Sequence, residues 1–192
     1  MENQKKNSFI SELIDYIEIF VFSVCAVLLV FTFIFRICRV DGDSMNKTLI
    51  DQEILLISDI NYTPKQNDII VFHQTSDTYI QYNKPIVKRV IATSGQYVKI
   101  NYDKGIVYVS NDDVFDEKDI LDESEYIYLD TGKWKNSGTL EKYVPEGYVF
   151  VMGDNRNNSA DSRFPAIGLV DERRILGKVL FRIFPLYKAG IP

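Results

Sequence analysis

Ser44 and Lys88 are the two residues whose type and surroundings fit acyl-transfer chemistry. A serine two positions after Gly42 can lie on a tight turn with its own N–H exposed, which suits an oxyanion hole. Lysine can act as the base of a serine hydrolase when apolar burial lowers its pKa from about 10.4 toward neutrality. Lys88 has Val87 and Ile91 beside it in a strand-like run, so it either faces solvent or is buried for a purpose.

A polar stretch, Gly153–Arg163, directly follows the apolar run Tyr148–Met152 and concentrates turn formers, hydroxyls and paired charges. It could be an ordinary polar loop. A buried lysine base, however, needs a hydroxyl to orient it and ion pairs to fix the surrounding loop. The stretch therefore supplies what Ser44 and Lys88 would otherwise lack.

The remaining reactive side chains favour no metal site. The one histidine, His73, lies in an apolar stretch with neither cysteine near it, and a single histidine cannot build a zinc site. We interpret it as a packed or surface residue. Cys25 and Cys38 fall 13 residues apart on one predicted helix, where a disulfide is geometrically implausible, so we expect two unpaired thiols.

The first element that must position these residues is an uncharged run, Ile19–Phe35. Extended to Tyr16–Cys38, with Arg36 snorkelling to the interface, it is long enough to span a hydrocarbon core of ~30 Å. It lacks both the small-x-small site of a removable signal and the polar stripe of a buried core helix. A retained membrane anchor is therefore predicted. Basic residues are equal in number on its two sides, so charge alone leaves the orientation open.

Charge separates the anchor from the rest of the chain. The chain has 27 acids and 22 bases, and the first 39 residues hold four of each, so residues 40–192 carry the whole net charge of −5. An acidic domain is a poor binder of phosphate backbones, which argues against nucleic acid as a partner. Nine acids fall within residues 112–130. Their spacing does not fit an EF-hand loop, so we interpret the segment as a solvated excursion between two halves of a β domain.

Short runs rich in Val, Ile, Tyr and Phe, separated by Gly, Pro, Asn and Asp, predict strands after the anchor. Asp103-Lys104-Gly105 fits a hairpin turn between two of them. No amphipathic helix or internal repeat follows the anchor. The fold class predicted is mainly β, an antiparallel barrel-like domain preceded by one transmembrane helix. The predicted strands are Glu53–Ser58, Asp68–Gln74, Pro85–Ala92, Tyr97–Asn101, Ile106–Ser110, Tyr148–Met152 and Ile175–Phe184.

Together these features resemble bacterial type I signal peptidases of peptidase family S26, membrane-bound enzymes that remove signal peptides from exported proteins. Ser44-Met45 with Thr48-Leu49 resembles the family's nucleophile box, and Lys88–Ile91 resembles its lysine box. Gly153–Arg163 matches the family's GDNR-x-NS-x-DSR box at every fixed position. The resemblance covers the anchor and most of residues 40–185. A lysine base, in place of histidine, argues against the endoplasmic-reticulum branch.

The resemblance implies a role for each matched residue. Ser44 would be the nucleophile, and its backbone N–H would form part of the oxyanion hole. Lys88 would be the general base and then the proton donor to the leaving amine, and Ser159 would hydrogen-bond Lys88 and orient it. Gly42 stands where some relatives have an oxyanion-hole hydroxyl, and Met45 would line the substrate cleft. No metal or other cofactor is implied. The implied loop supports are the ion pairs Asp161–Arg163 and Asp154–Arg89.

Two departures from the family pattern stand out. Lys47 occupies a position where the nucleophile box usually has proline, which would stiffen the turn after the serine. After the lysine box the family usually reads Gly-x-Pro-Gly-Asp, and only Gly95 of those fixed positions is present in this chain. Neither change removes a catalytic group, but both leave room for an altered rate or substrate preference.

The resemblance implies a cytoplasmic segment at residues 1–15, an anchor at 16–38 and an extracytoplasmic β catalytic domain at 39–192, with an acidic excursion at about 102–145. The expected enzyme is a single-pass cell-membrane protein, functional as a monomer, with preproteins and the lipid bilayer as partners. One alternative is a catalytically impaired, anchored homologue that binds exported chains. A second is a self-cleaving Ser/Lys repressor-type peptidase, which would carry a DNA-binding domain in place of the anchor.

Overall fold

A computed structural model of the chain describes residues 2–75 and 79–192. The chain divides into two compact units, Met1–Arg36 and Ile37–Pro192. The first unit is a helix, and the second carries the predicted chemistry.

Helix α1 runs from Glu2 to Ile34. Its stretch Glu12–Val30 has a mean hydropathy of 2.4 and is long and apolar enough to cross a membrane. Apolar side chains in this stretch are exposed, including Ile19 and Phe22. An exposed apolar surface of this length needs an apolar environment, which is consistent with the predicted membrane anchor.

The end of this helix differs from the sequence prediction. We expected the anchor to continue to Cys38, but the helix ends at Ile34 and Arg36–Arg39 forms strand β1. Cys25 and Cys38 are therefore not on one helix, and both are free thiols. The physical reason is that strand β2 (Ile54–Ser58) offers β1 a hydrogen-bonding edge, which satisfies the backbone of these residues.

The second unit is built from antiparallel strands in two sheets. The strands after β1 are β2 (Ile54–Ser58), β3 (Ile69–His73), β4 (Pro85–Ala92), β5 (Tyr97–Asn101), β6 (Ile106–Ser110), β7 (Thr139–Tyr143), β8 (Tyr148–Met152), β9 (Val170–Asp171) and β10 (Ile175–Phe184). The larger sheet has the order β1-β2-β10-β3-β4-β8-β9, and the smaller has the order β6-β5-β7.

The mainly antiparallel β class is confirmed, and each of the seven predicted strands is present to within one residue at either end. The expected barrel-like arrangement takes the form of two sheets. Part of the predicted excursion at about 102–145 is itself sheet, because β6 and β7 both pair with β5. Within the described residues after α1, the only helices are short 3-10 turns.

The larger sheet is buried on both faces around β3 and β4. Val71 packs in one apolar cluster, whereas its neighbour Phe72 packs in another. Successive residues of a strand point to opposite faces, so a strand inside such a sheet can bury side chains on both faces. Lys88 and Arg89 lie in the middle of β4 and are buried for this reason.

Candidate active site

Ser44 and Lys88 lie in contact. Lys88 Nζ donates a hydrogen bond to Ser44 Oγ at 2.7 Å and another to the carbonyl oxygen of Val87 at 2.8 Å. The Lys88 residue is only 2% exposed. A lysine in a strand usually faces solvent. Lys88 is instead buried, which was the other of the two arrangements that the sequence allowed.

The turn that carries Ser44 is held by its neighbours. Met45 and Leu49 are fully buried in the apolar cluster on one side of the large sheet. The N–H of Asn46 donates to the carbonyl of Asp43 at 3.1 Å, and that of Leu49 donates to the carbonyl of Met45 at 2.9 Å. The buried side chains of Met45 and Leu49 anchor the turn in this cluster, and the Ser44 hydroxyl faces Lys88.

Burial lowers the pKa of Lys88 to about 8, because the charged ammonium is removed from water. The carboxylates of Asp161 and Asp154 oppose this effect by stabilising the charged form. Near neutral pH a lysine with its usual pKa is almost wholly protonated. At pH 7 the shift raises the neutral fraction of Lys88 about 300-fold, to roughly one tenth.

The loop Gly153–Arg163 packs against both residues. Arg89 donates from Nε to Asp154 Oδ1 at 2.9 Å and from Nη2 to Asp154 Oδ2 at 2.7 Å, a bidentate pair. Thr48, in the turn after Ser44, donates its hydroxyl to the same carboxylate. Asp154 therefore joins the nucleophile turn to β4. The sequence analysis placed Thr48 in the nucleophile box but assigned it no role.

Asp161 is the other centre of this loop. Arg163 donates to its two carboxylate oxygens from Nε and Nη2, each at 2.7 Å, and the N–H of Gly153 donates to Oδ2 at 3.0 Å. Burial is the largest single influence on the pKa of Asp161 and raises it, but these hydrogen bonds and the charge of Arg163 together outweigh burial. The pKa of Asp161 is therefore lowered. The carboxylate stays charged and holds the loop closed.

Ser159 does not make the contact expected from the resemblance. Its hydroxyl donates to Asp161 Oδ2 at 2.7 Å, and the hydrogen bonds of Lys88 in the described structure go to Ser44 and Val87 instead. The Ser159 hydroxyl thus uses its one proton on the charged carboxylate of Asp161, which is a strong acceptor. Ser159 nevertheless lies beside the site, because a methyl group at Gly153 would collide with both its hydroxyl and the Ser44 carbonyl.

Ser44 lines a cleft of about 150 Å³. Met45 lines it, as expected, together with Ala160 and residues of the segment Tyr82–Lys88. Gly42 lies outside this lining. It has a φ of +90°, a conformation that favours glycine, and its N–H donates to Asp51 at 2.8 Å. Gly42 therefore shapes the turn before Ser44.

The acidic segment supports the back of the loop. Glu123 is the one buried acid among the nine in residues 112–130, and it forms a bidentate ion pair with the buried guanidinium of Arg156. The guanidinium carbon of Arg89 lies 4.1 Å from the centre of the Tyr126 ring, a cation–π contact. The N–H of Tyr128 donates a hydrogen bond to the Asp154 carbonyl at 2.8 Å. The segment is thus a solvated excursion with an inner face that packs on the site.

Both departures from the family pattern are accommodated locally. The Asn46–Lys47 peptide is cis, and the Lys47 ammonium lies 5.1 Å from the centre of the Tyr128 ring, a cation–π contact with the acidic segment. In the altered stretch after Lys88, the side chain of Gln96 accepts a hydrogen bond from the N–H of Thr93 at 2.9 Å. Neither departure displaces Ser44 or Lys88 from their contact.

Among the described residues, no group of three or more His, Cys, Asp or Glu side chains is placed to hold a metal ion. His73 lies at the end of β3. A buried lysine amine in contact with a serine hydroxyl is the arrangement that a serine hydrolase with lysine as its base would need.

Comparison with known proteins narrows this class. The family described as signal peptidase, peptidase S26, matches residues 13–184. A probable signal peptidase I-1 of Synechocystis sp. is 37% identical over 157 residues, which cover 79% of this chain and 72% of the relative. Signal peptidase IB of Staphylococcus aureus is 32% identical over 185 residues, 91% of each chain. A crystal structure of a signal peptidase I from Enterococcus faecalis aligns with a TM-score of 0.44 at 28% identity, covering 62% of this chain and 98% of that one.

The chain belongs to the signal peptidase family, peptidase S26. It is therefore a signal peptidase I, a serine protease, and the family resemblance seen in the sequence is confirmed.

Proposed function

We propose that this protein is a catalytically competent signal peptidase that cleaves N-terminal signal peptides from exported preproteins with Ser44 as nucleophile and Lys88 as base. The observation that carries the proposal is the 2.7 Å contact between Lys88 Nζ and Ser44 Oγ in an open cleft. The lowered pKa of Lys88 supports it, because a base must be able to lose its proton near neutral pH.

In this mechanism neutral Lys88 takes the proton of Ser44, whose oxygen attacks the carbonyl carbon of the last signal-peptide residue. The Ser44 N–H stabilises the oxyanion that forms. Lys88 then gives its proton to the leaving amine as the peptide bond breaks. Water, activated by the same lysine, hydrolyses the acyl-enzyme. The substrate would lie in the cleft as an extended strand, with small side chains at the first and third positions before the cut.

We place the enzyme in the cell membrane, with its N-terminus in the cytoplasm and its catalytic domain outside, acting as a monomer. The signal peptide and α1 would then share one bilayer, which raises their effective concentration for each other. Protease added to intact spheroplasts should digest the catalytic domain. Protection of that domain until the cells are lysed would contradict the orientation.

The test of the proposed activity is cleavage of a purified preprotein by the full chain in detergent or lipid, with N-terminal sequencing of the product. A new N-terminus just after a small-x-small motif is the expected result. Inactivity of the wild-type chain on several preproteins, with binding retained, would favour the alternative of an impaired homologue.

The pH dependence of cleavage follows from the burial of Lys88. Because only the neutral amine can accept the serine proton, kcat/KM should rise with pH and level off above an apparent pKa of about 8. The positive charge of Lys84 also contributes to lowering this pKa, so Lys84→Gln should move the acid limb to higher pH. Initial rates between pH 6 and pH 10 measure both effects. An acid limb that stays near the usual lysine value would contradict the lowering of the Lys88 pKa by burial.

A further inference from the structure

Asn155 contacts the backbone on both sides of the Ser44 Cα. Its side-chain Nδ2 donates to the carbonyl of Asp43 at 3.0 Å, and its backbone N–H donates to the carbonyl of Ser44, also at 3.0 Å. The residue is 4% exposed. These hydrogen bonds join the loop Gly153–Arg163 to the nucleophile turn at the serine itself.

The first of these bonds reaches the peptide group that would carry the oxyanion donor. The carbonyl of Asp43 and the N–H of Ser44 belong to one planar trans peptide and point in opposite directions. The carbonyl is held twice, by Asn155 Nδ2 at 3.0 Å and by the N–H of Asn46 at 3.1 Å. Fixing the carbonyl therefore fixes the direction of the Ser44 N–H, which in the described structure has no acceptor within the chain.

Hydrogen bonds to the carbonyl also polarise the peptide. When a carbonyl accepts, its own N–H becomes a better donor, a cooperative effect that is strongest away from water. The other end of the Asn155 amide contributes nothing comparable, because its buried Oδ1 has no hydrogen-bond partner among the described residues. Within the described structure, the Asn155 side chain therefore hydrogen-bonds to the nucleophile turn only through its Nδ2 donor.

We propose that Asn155 is a positioning residue that aims and polarises the Ser44 N–H for the oxyanion of the acyl-transfer transition state. The proposal rests on the proposed peptidase function and adds a residue to it. It predicts an effect on the chemical step and none on ground-state binding, since the oxyanion exists only in the transition state.

Asn157 provides a matched control. It lies two residues further along the same loop, and its Nδ2 donates to Asp130 Oδ1 and to the Lys133 carbonyl, each at 2.9 Å. Its hydrogen bonds thus staple the loop to the acidic segment without touching the Ser44 peptide. If Asn155 served only to staple the loop, the two asparagines should behave alike.

The experiment compares the full-length variants Asn155→Ala and Asn157→Ala in detergent, on the same preprotein as the wild type. Loss of a single oxyanion-hole donor costs about 10² to 10³ in kcat, so loss of the residue that aims it should cost about 10- to 100-fold. We expect this loss in kcat for Asn155→Ala with KM within about twofold, and near wild-type kcat for Asn157→Ala. A peptide aldehyde, whose adduct oxygen occupies the oxyanion position, should lose affinity for Asn155→Ala by a similar factor.

If Asn155→Ala does not fold, Asn155→Asp preserves the volume and replaces the donor by an oxygen, and it should lose at least as much kcat. Wild-type kcat in a folded Asn155 variant, or an equal loss in Asn157→Ala, would overturn the proposal while leaving the peptidase function intact. An independent readout is the amide resonance of Ser44 in selectively ¹⁵N-serine-labelled protein. It should shift in Asn155→Ala but not in Asn157→Ala, and this result does not depend on whether the wild type cleaves preproteins.

Discussion

Lys88→Met is expected to abolish preprotein cleavage while making the protein more stable. The thioether cannot accept the Ser44 proton, so kcat/KM should fall on the order of 10⁴-fold or more. The stability gain follows from the pKa of Lys88, which is about 8 in the fold and 10.5 without burial. Below pH 8 the fold carries a buried ammonium that the unfolded chain exposes to water, a cost of up to about 3 kcal/mol. An apolar side chain of similar length removes that cost.

The pH dependence of stability makes the prediction specific. Between about pH 8 and 10.5 the unfolded wild type binds more protons than the folded protein, so its stability rises with pH and then levels off. Lys88→Met should lack this rise. Thermal melts at pH 7 and pH 10 measure the difference. A Lys88→Met variant that is less stable than the wild type at pH 7, or that keeps more than about 1% of its activity, would contradict the buried-base interpretation.

Ser44→Ala is the matched variant on the other side of the contact. It should be as inactive as Lys88→Met without the gain in stability, because it removes no buried charge. The double variant should be no less active than either single variant, since residues that act as a unit do not contribute additively. Additive losses in the double variant would mean that Ser44 and Lys88 act separately.

The strands could be predicted where sequence pattern and burial agree. β3 and β4 are runs of β-branched and apolar residues because both faces of the larger sheet are covered. β7 was missed because Thr139–Tyr143 is largely exposed and carries Glu141 and Lys142, which are typical of a loop. β1 was missed because an apolar run continues into it, and local sequence does not record that β2 offers a free edge.

The candidate site was accessible to sequence in a different way. Ser44 and Lys88 are 44 positions apart, and neither the glycine turn nor the strand pattern places one against the other. Their pairing came from the resemblance of three separated segments to one family. The Glu123–Arg156 pair had no comparable signal, since Glu123 is one acid among nine and its burial depends on how the whole segment folds back.

Glu123→Ala, which breaks the Glu123–Arg156 ion pair, is expected to lower the stability of the protein substantially. Arg156 is 2% exposed, and Glu123 is its carboxylate partner, so removing the acid leaves a guanidinium buried without an ion-pair partner. Breaking a buried pair in this way costs about 3–5 kcal/mol. Glu125→Ala, an exposed acid two residues away, should change stability by less than about 0.5 kcal/mol. Chemical denaturation of the full chain in detergent measures both.

The same substitution should reduce activity through the loop. Arg156 Nε donates a hydrogen bond to the Gly153 carbonyl at 3.0 Å, and the backbone N–H of Arg156 donates to the Tyr128 carbonyl at 3.1 Å. Because Asp154 and Asn155 lie between Gly153 and Arg156, we expect an Arg156 without its ion-pair partner to loosen both of them. The double variant Glu123→Ala, Arg156→Met separates the two effects. It should recover much of the lost stability, because no buried charge remains, yet keep a reduced kcat because the hydrogen bond to Gly153 is gone. A double variant as unstable as Glu123→Ala alone would show that the acidic segment stabilises the site by packing and not by this ion pair.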